Sequence, residues 1–263
     1  MTRSHAFTIG TISFARCGKT MLLRPSERLR LILAAAESYE PDLLLTAGYA
    51  IHSPKQLAKL AEGIGALKRQ TLLFTEVHHE TTGKRPRTEP HALWAIMPSG
   101  RTRRLGNQLF ATGVQAEAKA GRRLEALGEQ IEQRIVRHNG RRILALCCGE
   151  INAVRGGMMP RFANEKIARA ILSADIVVNP THDRMSNAGI VQRKRQFLSQ
   201  ATRERPQRLY VSASNWEACG EDRAVQYPSA TLHTVYRAGH AREYEEPADG
   251  AFGFVYRRWS VKL

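Results

Sequence analysis

No stretch of this sequence approaches the ~20 consecutive apolar residues that a bilayer-spanning helix needs. Its opening, MTRSHAFTIG, has no apolar run fit for a secretory signal. Cysteine is scarce. Cys17, Cys147, Cys148 and Cys219 are the four in 263 residues, and their spacing fits neither a disulfide framework nor a zinc site. Such usage suits a reducing compartment, so the expectation is a soluble cytoplasmic protein with no membrane association. Linkers rich in Pro, Gly or Ser are missing, as are low-complexity segments and sequence repeats, and the chain reads as a single domain, 1–263. Two nucleotide signatures fail. CGKT (17–20) looks like the tail of a phosphate-binding loop, but Ser13 stands where its first glycine belongs. RGGM (155–158) has the wrong spacing for the dinucleotide fingerprint. No cofactor is expected.

Acidic residues are also short, 24 against 40 Lys and Arg, which gives a net charge of +16 and a pI near 10.3. Basic clusters at 84–87, 101–104, 121–123, 140–142 and 192–195 favour acidic partners, nucleic acid and anionic substrates among them. Aromatics make up only 7% of the chain and few lie among these clusters. A solvated basic surface explains the charge more simply than nucleic-acid binding does.

Apolar residues, 43% of the chain, suffice for a large α/β core. Alternation or short apolar runs predict strands over 6–14, 42–48, 71–77, 141–148, 175–181 and 207–215. Helical spacing predicts helices over 25–40, 53–70, 114–138, 162–174 and 189–205, the first opened by Pro25-Ser26. A hairpin over 91–105 turns at Pro98-Ser99-Gly100, and two strands of antiparallel type, 229–239 and 250–259, close the chain. Strands alternating with helices imply sheets covered by helices. The polar segment 78–90 opens with His78-His79. Adjacent histidines on a strand would point to opposite faces, so a loop pair is the simpler reading and a metal pair the sharper one.

ILALCCGEINA (143–153) sets two cysteines at the end of an apolar strand, ahead of Gly149 and Glu150. Residues so close rarely bridge. Either the thiols fill a buried strand end, or one is presented as a nucleophile on a strand-to-turn elbow. Cys148 is the one next to Gly149, whose backbone freedom suits a sharp turn.

ILALCCGE (143–150) resembles the nucleophile motif of the nitrilase, or carbon–nitrogen hydrolase, superfamily: apolar strand, cysteine, any residue, acid. Cys148-Gly149-Glu150 fits it, with Cys148 as nucleophile and Cys147 at the inward apolar position before it. The flanks agree in order: EPDLLLTAGYAIHS (40–53), HALWAIMPSGRTRR (91–104), ADIVVNPTHDRM (174–185) and IVQRKRQFLSQATRERPQRLYVSASNW (190–216). The resemblance implies a four-layer α-β-β-α sandwich of two mixed sheets. It implies a small amide or nitrile substrate, here an anionic one given the charge, and a homodimer. Members of the superfamily use a glutamate base, an oxyanion-stabilising lysine and a cysteine that forms a thioester.

This chain departs from that set. Gly48 stands where the glutamate belongs and Gly106 where the lysine belongs. Candidate replacements are Glu76 or Glu80 for the base, Arg103 or Arg104 for the cation, Glu117 as a second glutamate, and His78 or His79 as a partner for the thiol. Glu150 is either part of the chemistry or a brace for the turn. Asn215 and Trp216 either line the pocket or pack. Two functions follow: an amidase-type enzyme acting through Cys148, or a catalytically inactive binding or scaffold protein with an acidic partner such as nucleic acid.

Overall fold

The computed structural model describes residues 6–18, 20–78, 91–118, 121–182, 188–219, 232–245, 247–249 and 253–263. His79 and Glu80 lie outside them. In chain order the first half contains β1 (Phe7–Cys17), β2 (Thr20–Met21), α1 (Pro25–Tyr39), β3 (Leu43–Thr46), α2 (Pro54–Ala66), β4 (Leu72–Val77), β5 (Ala92–Ile96), β6 (Thr102–Asn107), α3 (Gly113–Glu117) and α4 (Arg122–Gln130). The second half contains β7 (Ile135–His138), β8 (Arg141–Ala145), β9 (Val154–Arg155), β10 (Arg161–Phe162), α5 (Glu165–Ser173), β11 (Ile176–Thr181), α6 (Ala188–Leu198), β12 (Leu209–Ser214), β13 (Trp216–Glu217), β14 (His233–Arg237), β15 (His240–Arg242), β16 (Pro247–Asp249) and β17 (Phe254–Val261).

Two mixed sheets stack face to face. The first runs β16-β17-β1-β3-β4-β5-β6, with β2 and β13 also paired to β1; the second runs β15-β14-β12-β11-β8-β7. Their central strands are parallel, β1 with β3 and β4, and β8 with β11 and β12. Central parallel strands are covered on both faces, and every residue of Leu43–Thr46, Ile176–Thr181 and Leu209–Ser214 is buried. Ile9, Leu43, Leu45, Phe74, Ile143, Ala145, Val178 and Val211 face each other between the sheets. α1 and α2 cover the outer face of the first sheet through Ile32, Ala36, Leu57, Leu60 and Ile64. α4, α5 and α6 cover the second through Leu124, Leu127, Ile167, Ile171, Val191 and Leu198. The result is the expected α-β-β-α sandwich. No described helix is long and apolar enough to cross a membrane.

Sequence and structure part company at 114–138, expected as one helix. Gly121 adopts φ 80° and separates α3 from α4. A short 3-10 helix (Ile131–Arg134) then leads into β7. Asn139 (φ 46°) and Gly140 (φ 73°) make a two-residue turn between β7 and β8, with His138 opposite Arg141. Positive φ at both central residues is the hairpin-favouring geometry that Asn-Gly supports. This turn, together with β-branched Ile135 and Val136, outweighs the helical spacing. The two closing strands also separate: β14 pairs with β12 in the second sheet, and β17 pairs with β1 in the first.

Candidate active site

The site gathers where the C-terminal ends of β3, β4, β8 and β11 meet. After β3 the chain is clamped across the sandwich: the Gly48 N–H donates to the Thr181 carbonyl (2.9 Å), and the Asn215 side-chain amide donates to the Gly48 carbonyl (2.6 Å). Tyr49 follows in the left-handed region at φ 60°, uncommon for a bulky residue. Its ring stacks on His182 at 4.0 Å and meets the edges of His78 and His91 at 5.3 and 4.7 Å. Glu76, near the end of β4, is fully buried and bonds His182 through Oε2. His78 and His91 are held together through their Nδ1 atoms at 3.1 Å. Glu76, His91 and His182 could together hold a metal ion, their ligand atoms lying within 4.8 Å of one another.

Beside this cluster runs a second buried polar system. Arg134 and Glu150 are both fully buried and form an ion pair, with Arg134 Nη2 on Glu150 Oε1 at 3.0 Å and Nη1 on Oε2. Arg134 also donates to the Asn107 carbonyl (2.8 Å) and to the Cys147 sulfur (3.5 Å). Glu150 accepts the backbone N–H groups of Cys147 (2.8 Å) and Leu109 (3.0 Å). Burial drives the Cys147 thiol well above the usual thiol range, the Glu150 and Glu76 carboxylates push the same way, and Arg134 opposes them. Burial works against the charge on Arg134, but Glu150 and then Cys147 hold its pKa above the ordinary value.

Gly48 and Gly106, the glycines that the resemblance sets at the glutamate and lysine positions, each face one of these side-chain groups. A Cβ on Gly48 would lie 2.0 Å from His182 Cδ2 and 2.9 Å from Glu76 Oε2. A Cβ on Gly106, which has φ 135°, would lie 3.4 Å from the Arg134 guanidinium. The spaces toward which the glutamate and lysine would project thus hold a carboxylate–imidazole pair and a guanidinium.

Of the residues proposed from sequence, Glu76 and Glu150 converge here. Arg104 does not: it is exposed and hydrogen-bonded to the Asn107 side chain. Arg103 is occupied by the carbonyls of Ile135 and Gln133, both at 2.9 Å. Glu117 is exposed and paired with Arg155 at 3.4 Å, away from the cluster. The thiol that enters the space between the sheets is that of Cys147, on the inward side of β8's continuation. Cys148 opens the 3-10 helix that follows (Cys148–Ala153), is 9% exposed, and lies within electrostatic reach of Tyr210, which packs with the outer helices. Asn215 clamps the Gly48 loop and Trp216 packs against Ala15 and Val255. Sequence reasoning missed Arg134, His91, His182 and Tyr49. The Asn139-Gly140 turn was the available signal for Arg134, since it takes residues 131–138 out of a helix.

A cavity of about 680 Å³ opens beside Tyr49, His52 and His78 and is lined further by Arg16, Arg24 and Arg28.

No protein-family profile and no curated protein matches this sequence. Solved structures do. A mutant amidase from Nesterenkonia sp. AN1 in complex with butyramide superposes with a TM-score of 0.56 at 16% identity, over 98% of this chain and 92% of that one. A CN-hydrolase superfamily protein from Xanthomonas campestris, with an arsenic adduct in its active site, gives 0.53 at 12% identity over 98% and 91%. A glutamine-dependent NAD(+) synthetase from Cytophaga hutchinsonii gives 0.55 at 12% identity, over 97% of this chain and 43% of that chain. The chain has the nitrilase-superfamily fold. Within this fold the thiol buried against the Arg134–Glu150 pair is that of Cys147.

Proposed function

We propose that this chain is a nitrilase-fold binding protein in which cysteine thioester chemistry is closed off, and whose cavity takes a small anionic ligand. The observation that carries this reading is the filling of both vacated catalytic positions, by His182 against Gly48 and by Arg134 against Gly106. Most of Arg134 is engaged, its Nε being the one donor of the guanidinium with no hydrogen-bond partner among the described residues. Its Nη1 and Nη2 groups are engaged by Glu150, Asn107 and Cys147, and its charge is balanced by Glu150. Cys147 is fully buried, and that burial raises its thiol pKa and disfavours a thiolate. Arg16, Arg24 and Arg28 line the cavity and support an anion preference, with Arg16 also meeting Glu217 and Arg24 meeting Glu27, both at 3.7 Å.

One observation favours a second reading, an amidase with Cys147 as nucleophile, Glu76 as base and Arg134 as cation: the three groups interact electrostatically around one thiol. A mutant of the Nesterenkonia amidase carries the acetamide moiety of fluoroacetamide covalently on its active-site cysteine, so the same probe separates the readings. Incubation of this protein with fluoroacetamide across roughly pH 6–9, the span around a free thiol's pKa, followed by peptide mass mapping, is expected to leave Cys147 and Cys148 unmodified. A Cys147 adduct, with butyramide hydrolysis that Cys147→Ser abolishes, would establish the amidase instead. Ligand binding is read from thermal shifts with small carboxylates and inorganic phosphate, which Arg16→Gln and Arg24→Gln are expected to reduce.

A further inference from the structure

We propose that Glu76, His91 and His182 form a divalent transition-metal site that bridges the two sheets. Two imidazoles and one carboxylate make a donor set that suits zinc and other first-row divalent ions, and such three-ligand sites leave a coordination position open for water or a ligand. The three residues come from different places in the chain, and the fold brings them together. Glu76 is on β4. His91 immediately precedes β5, which pairs antiparallel with β4 with Val77 opposite Ala92. His182 immediately follows β11 in the other sheet, whose end is tied to Gly48 by the Thr181 carbonyl.

Their ligand atoms lie within 4.8 Å of one another. Tetrahedral bonds of about 2.0–2.2 Å place ligand atoms about 3.3 Å apart, so small side-chain rotations close the site. His182 Nε2 already touches Glu76 Oε2. An independent observation points to a missing partner: Glu76 is fully buried, yet its Oε1 has no hydrogen-bond partner among the described residues. A buried, unsatisfied carboxylate oxygen is costly, and a cation would satisfy it. The surroundings have the form of an outer shell. His78 holds Nδ1 of His91, the type of contact that sets the tautomer of a ligating histidine. Tyr49 covers His182 with its ring face. The cavity lined by Tyr49, His52 and His78 borders the site, since Tyr49 meets both His91 and His182 and His78 stacks on His91.

The test uses the untagged full chain, stripped with EDTA and dialysed, then titrated with Zn²⁺ by calorimetry and analysed for bound metal. One zinc per chain and a melting temperature raised by several degrees are expected, because an ion that binds only the native state stabilises it. Glu76→Gln and the double variant His91→Ala/His182→Ala are expected to lose the bound zinc while keeping a native circular dichroism spectrum. If Glu76→Gln does not fold, the histidine double variant decides. His78→Ala is expected to weaken binding about 10–100-fold, as outer-shell changes do. Co²⁺ is expected to give the visible absorption of a tetrahedral site without a thiolate charge-transfer band. Absence of stoichiometric zinc, zinc retained by the histidine double variant, or a thiolate band lost in Cys147→Ser would each overturn the assignment. None of these readouts depends on whether the cysteines are reactive.

Discussion

Replacing Arg134 with methionine is the most informative perturbation of the buried core of this site. Arg134 has no solvent exposure and makes four kinds of contact: both oxygens of Glu150, the Asn107 carbonyl at 2.8 Å, and the Cys147 sulfur at 3.5 Å. Methionine roughly preserves the buried chain but leaves Glu150 as a fully buried carboxylate with only the N–H groups of Cys147 and Leu109 to stabilise it. Breaking a buried pair on one side costs about 3–5 kcal/mol. For a chain of this size, about 2–4 °C per kcal/mol turns that into a fall in Tm of roughly 6–20 °C. Adding Glu150→Gln removes the stranded charge. The double variant is then expected to be more stable than the sum of the singles predicts, by about 0.5–3 kcal/mol, the range for directly contacting groups. Urea unfolding of the four proteins in the cycle measures this. A single-variant cost below about 1 kcal/mol, the range of an exposed pair, or additivity in the double variant, would refute the claim that this ion pair organises the site.

Two further outcomes follow from residues away from the site. Gly140→Ala places a Cβ at φ 73° in the β7–β8 turn, and urea unfolding is expected to show a loss of about 1–2 kcal/mol, the cost of the left-handed region for an L-residue. His233 is buried, shares a 2.5 Å hydrogen bond with Thr11, and has its pKa held well below the usual value by burial and then by Arg257. Below pH ~6.5 the unfolded chain therefore binds a proton that the native state refuses, so stability falls as pH drops, by up to about 1.4 kcal/mol per unit for this group. His138, lowered by burial, adds in the same direction. His233→Gln is expected to flatten the pH dependence of urea midpoints below pH ~6.5, and an unchanged slope would contradict the assignment.

The sandwich was legible because its central strands carry the signature of burial on both faces, from Leu43–Thr46 to Leu209–Ser214. Glu76 and Glu150 were also legible, since each sits at the end of an apolar strand, where α/β folds expose polar groups. What the linear pattern hides is convergence from afar. Arg134 is drawn into the core by a hairpin whose strand β7 carries charged neighbours and so mimics a helix. His182 and His91 each look like ordinary loop residues, and only the facing of two sheets brings them onto Glu76. Which of the two thiols faces inward depends on alternation: β8 directs Ile143, Ala145 and then Cys147 inward, whereas motif spacing points to Cys148.

The filled positions also determine what restoration would do. If the glycines were simple losses, Gly48→Glu with Gly106→Lys should return the superfamily's base and cation beside a waiting thiol. The geometry argues otherwise. A side chain at 48 must displace His182, whose Cδ2 would sit 2.0 Å from the new Cβ, and overpacking of this kind costs about 1–3 kcal/mol. A lysine at 106 must adopt φ 135° and bring a second cation against Arg134, 3.4 Å from its Cβ. The left-handed strain alone adds about 1–2 kcal/mol, before any repulsion between the cations. Against a typical total stability of about 5–15 kcal/mol, the double variant is expected to fold poorly, to hydrolyse no butyramide, and to lose zinc along with the displaced His182. Removing the occupant of that space as well, with His182→Ala, is expected to recover part of the stability lost to overlap at Gly48. A restored double variant that matched the parent in urea unfolding and turned over an amide would mean that the occupants yield easily, and that the thiol had been waiting for its partners.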